Sequence, residues 1–151
     1  MVIIEQADSG DAGVILDIQK TAYQSEAELH NDFNIPPLNQ TLEEIREDFD
    51  RQFFLRAVVD GEIVGSVRAY EEEGTCYIGR LIVRPEHQGR GIGTMLMQEI
   101  EESFSQAERF ELFTGHRSER NLHLYDKLGY EVFKEEPLHA DLILVYLEKR
   151  T

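Results

Sequence analysis

The stretch Arg80-Leu-Ile-Val-Arg-Pro-Glu-His-Gln88-Gly-Arg-Gly-Ile-Gly-Thr94 constrains this chain more than any other, because it reads as a strand that enters a glycine-rich turn and continues straight into a helix. Leu81 to Val83 is an apolar, β-rich run that Pro85 stops. Ile92, Met95, Leu96, Glu99, Ile100 and Phe104 then recur at helical spacing. Gly89, Gly91 and Gly93 occupy the first turn of that helix. Without a Cβ they let a ligand lie against the backbone, where several N–H groups have no intrahelical partner and the helix dipole adds positive potential. The pattern predicts an anion site. It is not a P-loop, since no Lys-Ser or Lys-Thr pair follows the last glycine, and it is not the dinucleotide G-x-G-x-x-G, since the required third glycine falls on Thr94 or Leu96.

What else the chain can be is bounded by its size and charge. At 151 residues and 41% hydrophobic it is long enough to bury a core as one globular domain, taken here as residues 1 to 151. A single cysteine, Cys76, excludes an internal disulfide and supplies no metal cluster. The first residues lack a basic segment followed by a long apolar one, and no run of about 18 apolar residues occurs, so a cytoplasmic location is expected. A net charge of −15 opposes binding to nucleic acid or anionic membrane. Residues 79 to 94 are locally basic, with Arg80, Arg84 and Arg90 against Glu86. That is +2 at the glycine turn and hence −17 elsewhere, a balance suited to a polyphosphate such as coenzyme A. The oligomeric state, monomer or homodimer, is open.

Taken in order, Val2 to Gln6 reads as a strand, Asp8 or Ser9 as an N-cap, and Val14, Ile15, Ile18, Ala22 and Tyr23 as one face of a helix to about Gln24. Residues 25 to 40 lose periodicity, and Pro36-Pro37 forbids a continuous helix, so a surface loop is expected. Thr41-Leu-Glu-Glu44 is a capping box opening a helix to about Asp50. Asp60-Gly61 joins strands Phe53 to Val59 and Glu62 to Tyr70 as a hairpin. Thr75 to Val83 is the next strand, Met95 to about Gln106 the central helix, and Phe110 to Thr114 a strand parallel to its predecessor. A short helix opened by Ser118 or Asn121 ends near Leu128 before Gly129. Strands Glu131 to Lys134 and Leu142 to Leu147 close the order. The expected fold class is α/β: a single mixed, mostly antiparallel sheet flanked by helices, with a central strand–helix–strand crossover.

The motif Gln88-Gly-Arg-Gly91-Ile-Gly93 resembles the Q/R-x-x-G-x-G/A signature of the GNAT superfamily of N-acetyltransferases, and Val83-Arg-Pro85 before it is also as that family has it. Leu124-Tyr125-Asp-Lys127-Leu-Gly129-Tyr130 is similar to the family's second signature, L-Y-x-K-x-G-F. The resemblance implies a GNAT-like acyl-CoA N-acyltransferase fold in which two parallel strands splay around the arm of acetyl-CoA. It implies that Gln88, Gly89, Arg90, Gly91, Ile92, Gly93 and Thr94 cradle the pyrophosphate, and that Leu81, Ile82 and Val83 pair with the pantetheine like an added strand. Tyr125 matches the tyrosine facing the cofactor sulfur, a phenol able to protonate the departing thiolate. Many members place Asn seven residues before that tyrosine. Here that position is Ser118, while Asn121 lies one helical turn before Tyr125 and is the alternative cofactor contact.

The resemblance implies an acetyl-CoA-dependent N-acetyltransferase acting on a primary amine of a small molecule or peptide. A non-catalytic acyl-CoA-binding sensor is the alternative. Where some members carry a basic Glu, this chain has Tyr77. His116 and the run Glu71-Glu72-Glu73 are the other candidates, and none is assigned. Cys76 has no histidine beside it and reads as a packing residue rather than a nucleophile. The acidic remainder suggests a cationic acceptor drawn by Glu26, Glu28, Asp32 and Glu71 to Glu73, with the alternative that the acidity serves only solubility. Preference for an anionic amine would direct attention to Arg56 and Arg68.

Overall fold

The computed structural model describes residues 1–151. Strands β1 (Val2–Gln6), β2 (Phe53–Val59), β3 (Glu62–Glu72), β4 (Thr75–Val83), β5 (Arg109–Gly115), β6 (Glu131–His139) and β7 (Leu142–Arg150) form one sheet in the order β1-β2-β3-β4-β5-β7-β6. Every neighbouring pair is antiparallel except β4 and β5. Helix α4 (Ile92–Ser103) makes the crossover between those two. Helices α1 (Ala12–His30), α2 (Pro36–Asn39) and α3 (Leu42–Arg51) precede β2, and α5 (Glu119–Lys127) follows β5. This is the expected mixed, mostly antiparallel sheet with its one parallel crossover.

Period-two alternation divides the strands between two cores. Leu55 and Ala57 of β2 join Leu96, Met97 and Ile100 of α4, whereas Phe54 turns the other way to join Ile15 and Ile18 of α1 and Ile45 of α3. Phe49 of α3 stacks on Phe54 at 3.8 Å between ring centroids. Strand β4 departs from this alternation. Cys76 and Ile78 face α4, and Ile82 should follow them, yet Ile82 lies in the α1 core while Leu81 and Val83 pack toward α4. The cause is a bulge: Arg68 pairs with Gly79 and Ser66 with Ile82, so β4 carries one residue more than β3 between those rungs. An extra residue inverts the faces downstream. Arg80 sits in the bulge in left-handed backbone, φ 48°, a conformation that costs a non-glycine residue about 1–3 kcal/mol.

Several element ends differ from the sequence reading, each for a local reason. Helix α1 continues past Gln24 to His30, burying Ala27 and His30, and is closed by Asn31 in the left-handed region. Pro36 and Pro37 lie beyond the end of α1 and start a short helix of their own, α2, at positions where their missing N–H groups are not needed. Strand β6 runs on to His139 through Pro137, which an edge strand tolerates because its outer N–H groups need no partner. Asp8 caps a single 3-10 turn, Ser9–Asp11, rather than the long helix itself.

Candidate active site

Pro85 ends β4, and a single 3-10 turn leads to Gly89 and Gly91, both in left-handed backbone at φ 78° and 81°. Gly91 is the N-cap of α4. A Cβ placed on either glycine would meet nothing within 4 Å, so the space beside them is open. None of the amides from Gly89 to Thr94 finds an acceptor in the protein. All of these residues but Arg90 line a cleft of about 850 Å³ bounded by the glycine turn, by the end of α1 and by the start of α5. His87 lines the same cleft and buries an Nδ1 with no protein partner. Open space, unpaired amides, a helix N-terminus and an orphaned ring nitrogen fit the pyrophosphate of a nucleotide cofactor.

The cleft leads to a fork in the sheet. β4 and β5 pair only where Thr75–Tyr77 meet Arg109–Glu111, and beyond Tyr77 the strands separate. The edge of β4 that faces β5 is thereby unpaired through Leu81 and Val83, as an extended ligand arm would require. In the fork lies a second cavity of about 710 Å³, lined by Ile78, Gly79, Arg80 and Leu81 on one side, by Leu112 to Gly115 on the other, and by Tyr125. Tyr23, Glu26, Leu81 and Asn121 line both spaces and mark their junction.

The sequence profile of the acetyltransferase (GNAT) family matches residues 15–130, which covers both signatures and the fork. The chain belongs to the GNAT family. Its structure is similar to that of the PaiA N-acetyltransferase from Thermoplasma acidophilum in complex with coenzyme A, with a TM-score of 0.82 at 15% identity, over 100% of this chain and 99% of that one. It is similarly close to the YncA structure from Salmonella typhimurium with its cofactor acetyl-CoA, with a TM-score of 0.78 at 15% identity, over 99% and 94%. These likenesses show the fold. Among curated proteins, UPF0157 protein YqkA of Bacillus subtilis (strain 168) is 26% identical over 128 residues, 85% of this chain but only 37% of that protein's length. No helix is long and apolar enough to cross a membrane.

Within this GNAT site, Tyr125 is buried, and its hydroxyl donates to no protein acceptor. Burial, with Tyr23 and Glu26 adding to it, holds its phenol well above the usual range. The hydroxyl stays protonated at any working pH. Ser118 and Asn121, the two alternatives for one cofactor contact, are both tied to Glu26. Ser118 donates its hydroxyl to Glu26, and Asn121 donates Nδ2 to Glu26 Oε1 at 3.4 Å and to Thr114 Oγ1 at 3.3 Å. Ile82 and Ile92 put their side chains into the two cores and offer only backbone to the cleft. Gln88 turns back to donate to the Val83 carbonyl and accepts from Arg120. Arg90 is exposed and lies outside the cleft lining.

The three arginines of the turn do not form one patch. Arg80 lines the fork cavity, Arg84 donates Nε to the Ile63 carbonyl at 3.0 Å, and Arg90 projects away. The cationic residues that line the cleft beside the glycine turn are Arg117, Arg120 and Lys127, around α5, a placement that spacing alone did not reveal. The base candidates also separate. His116 accepts the Ile143 N–H on Nδ1 at 2.9 Å, so its neutral ring carries the proton on Nε2 and has no free lone pair. Glu71 to Glu73 sit on an exposed hairpin end outside both cavities, while Tyr77 lines the fork, stacked on Tyr70 at 5.2 Å. Arg56 is held on Glu5 and Asp11, away from both spaces.

A buried polar chain forms the wall of the fork cavity. Arg68, 3% exposed, lies 4.4 Å over the Phe54 ring and donates to Asp48 Oδ2 at 2.8 Å and to Gln19 Oε1 at 2.6 Å. Gln40 donates to Asp48 at 2.6 Å, and its own carbonyl accepts from Gln19 at 2.9 Å and from Arg80 at 2.5 Å. Burial, then the charge of Arg80, pulls the Arg68 guanidinium down to about 10. His30, beside the fork, donates Nδ1 to the Glu26 carbonyl at 2.9 Å and accepts the Arg117 N–H on Nε2 at 3.1 Å, so it is a neutral, satisfied ring. Gly115 is glycine because any Cβ there would enter that ring.

Proposed function

We propose that the whole chain is one N-acetyltransferase domain that moves the acetyl group of acetyl-CoA to a primary amine by direct attack. The observation that carries this reading is the run of unpartnered amides from Gly89 to Thr94 opening through the fork onto the protonated hydroxyl of Tyr125. Gly89 to Thr94 hold the pyrophosphate, Leu81 and Val83 offer strand edge to the pantetheine, and Asn121 with Ser118 borders the junction. Acetyl-CoA supplies the acyl group as a thioester: the C–S bond breaks, a C–N bond forms, and the thiol leaves with one proton. Tyr125 gives that proton from its hydroxyl, and backbone N–H groups near Leu81 to Val83 face the acyl oxygen. Glu26, the carboxylate at the junction, takes the proton of the amine, directly or through a water. Asp48 and Glu111 are less available, since each is held by an arginine at 2.8 Å.

The test is release of free CoA thiol from acetyl-CoA with a panel of primary amines, beside calorimetry with CoA. Micromolar CoA affinity together with amine-dependent thiol release is the expected result. Affinity with no release from any amine would make the domain an acyl-CoA-binding module, and absence of affinity would overturn the site.

A further inference from the structure

The charges lining the fork cavity do not resemble those of the chain as a whole. Of the acidic residues that the net charge of −15 brought forward as attractors for a cation, only Glu26 lines it. Asp32 is occupied by the Asn34 N–H and by His139, each at 2.9 Å. Within the cavity, Asp48 belongs to Arg68 and Glu111 to Arg109. Arg80 is the one guanidinium of the lining without a carboxylate partner. Its single hydrogen bond goes to a neutral amide, the Gln40 carbonyl. A guanidinium has five N–H donors, so most of those on Arg80 are unspent.

The backbone is also strained to aim this residue. Without the bulge, Arg80 would share a face with Cys76 and Ile78 in the α4 core; with it, the side chain reaches the Arg68–Asp48–Gln40 wall at the price of a left-handed φ of 48°. Gln40 is fixed by Gln19 and Asp48, and so it fixes Arg80 in turn. Asp48, the one carboxylate bonded in this wall, is taken by the buried Arg68, so the half-buried, oriented Arg80 keeps unspent donors that an anion would satisfy.

We propose that the acceptor amine carries a carboxylate, held bidentately by Arg80. This rests on the acetyltransferase reading and names the substrate class of that site. Planar, two-pronged geometry favours a carboxylate on an arginine fork, and Arg80 lines only the acceptor side, not the cofactor cleft, so it is not a phosphate contact for CoA.

The test uses amino acids with one to three methylenes between amine and carboxylate, each paired with its carboxamide, and a diamine of matching length. Rates are compared per unprotonated amine. For at least one spacing the carboxylate should exceed its carboxamide by about 10-fold or more in kcat/KM. Arg80→Gln should raise KM for that carboxylate by about 10- to 100-fold, the usual worth of a charged hydrogen-bond pair, and collapse the preference toward 1. Arg80→Lys should keep part of it. Preference for the carboxamide or the diamine at every spacing would overturn the proposal, as would an Arg80→Gln defect equal for both members of each pair. If no amine is turned over although CoA binds, the transferase reading fails, and calorimetry decides the anion site separately. CoA-saturated protein is titrated with the N-acetyl forms of the same acids: binding that Arg80→Gln abolishes supports it, and no binding overturns it.

Discussion

The cleft at the glycine turn and the fork cavity meet at four residues and are built on opposite principles. The cleft offers a ligand backbone: amides that the start of a helix leaves unpaired, at glycines whose missing side chains keep the approach open. The fork offers side chains gathered from α1, α2, α3, β3, β4, β5, β6, β7 and α5. A backbone site needs one contiguous stretch of sequence and tolerates change around it. A side-chain site needs the whole fold to be assembled before any of its members acquires a role. Recognition in the first should therefore fail from a single added carbon, and in the second from the loss of a single charge.

The largest expected effect is on the backbone side. In Gly91→Val a β-branched side chain enters the open space before α4 and should weaken CoA binding beyond about 10³-fold, read by calorimetry. Because φ there is 81°, the change should also cost about 1–3 kcal/mol of stability, so circular dichroism must show a folded variant. A folded variant with unaltered affinity would remove the cleft from cofactor binding. The counterpart in the fork is Asp48→Ala, which strands the desolvated Arg68 without its carboxylate. A loss of about 3 kcal/mol in denaturant unfolding is expected, at the low end for a broken buried pair because Asp48 keeps some contact with water. A loss below about 1 kcal/mol would mean that water replaces the carboxylate and that the wall is not preassembled.

The same contrast explains what was legible in the sequence. The strand, turn and helix around Gly91, the capping box at Thr41 and the Asp60-Gly61 hairpin are local devices, and each stands where its residues place it. The second signature, which carries Tyr125, was legible because it is contiguous, and the structure puts that tyrosine in the lining of the fork. The role of Gln40 was not, since it depends on Arg80, Gln19 and Asp48, which come from three other segments. The bulge that turns Arg80 toward them had one local signal, Gly79 inside the strand pattern, which by itself says neither that a residue is inserted nor where its neighbour points. Net charge is a weak guide to the fork for a related reason: it sums over a surface, and of the acidic residues it brought forward only Glu26 lines the cavity. The continuation of α1 to His30 had a signal, Asn31 as a left-handed cap, which the loss of apolar periodicity obscured.

Intermediate effects fall on the junction itself. Tyr125→Phe removes the proposed proton donor but keeps the ring, and should lower kcat by about 10- to 10³-fold with CoA affinity nearly unchanged. Since burial raises its folded pKa above the usual value of about 10, this hydroxyl stabilises the folded state fully below that pH, and the contribution fades as pH rises beyond it. The high-pH limb of a rate profile between pH 6 and 9 should therefore not belong to Tyr125. Wild-type turnover in the variant, with chemistry rate-limiting, would make the residue structural. Glu26→Gln should cost about 10-fold in kcat/KM near neutral pH and progressively less as pH rises, because at higher pH more of the amine arrives already unprotonated. A defect independent of pH would assign Glu26 to holding Ser118 and Asn121 instead.

The smallest expected effect separates the needs of the ligand from those of the fold. Gly93 lies in the second residue of α4, and a Cβ there would meet Leu124 Cδ2 at 3.5 Å and Leu81 Cδ2 at 3.8 Å, ordinary contact distances. Its backbone is helical, so the protein alone gives no reason for glycine, and alanine is the better helix former by up to about 1 kcal/mol. Gly93→Ala should accordingly raise the melting temperature by a few degrees or leave it unchanged. If the pantetheine and pyrophosphate run between Leu81 and the start of α4, the added methyl narrows their path and should weaken CoA about 3- to 10-fold. Calorimetry and thermal unfolding of the same variant give both numbers. Stability that falls while affinity stays constant would show that the third glycine serves packing against Leu124, and that the ligand passes on the Gly89 and Gly91 side alone.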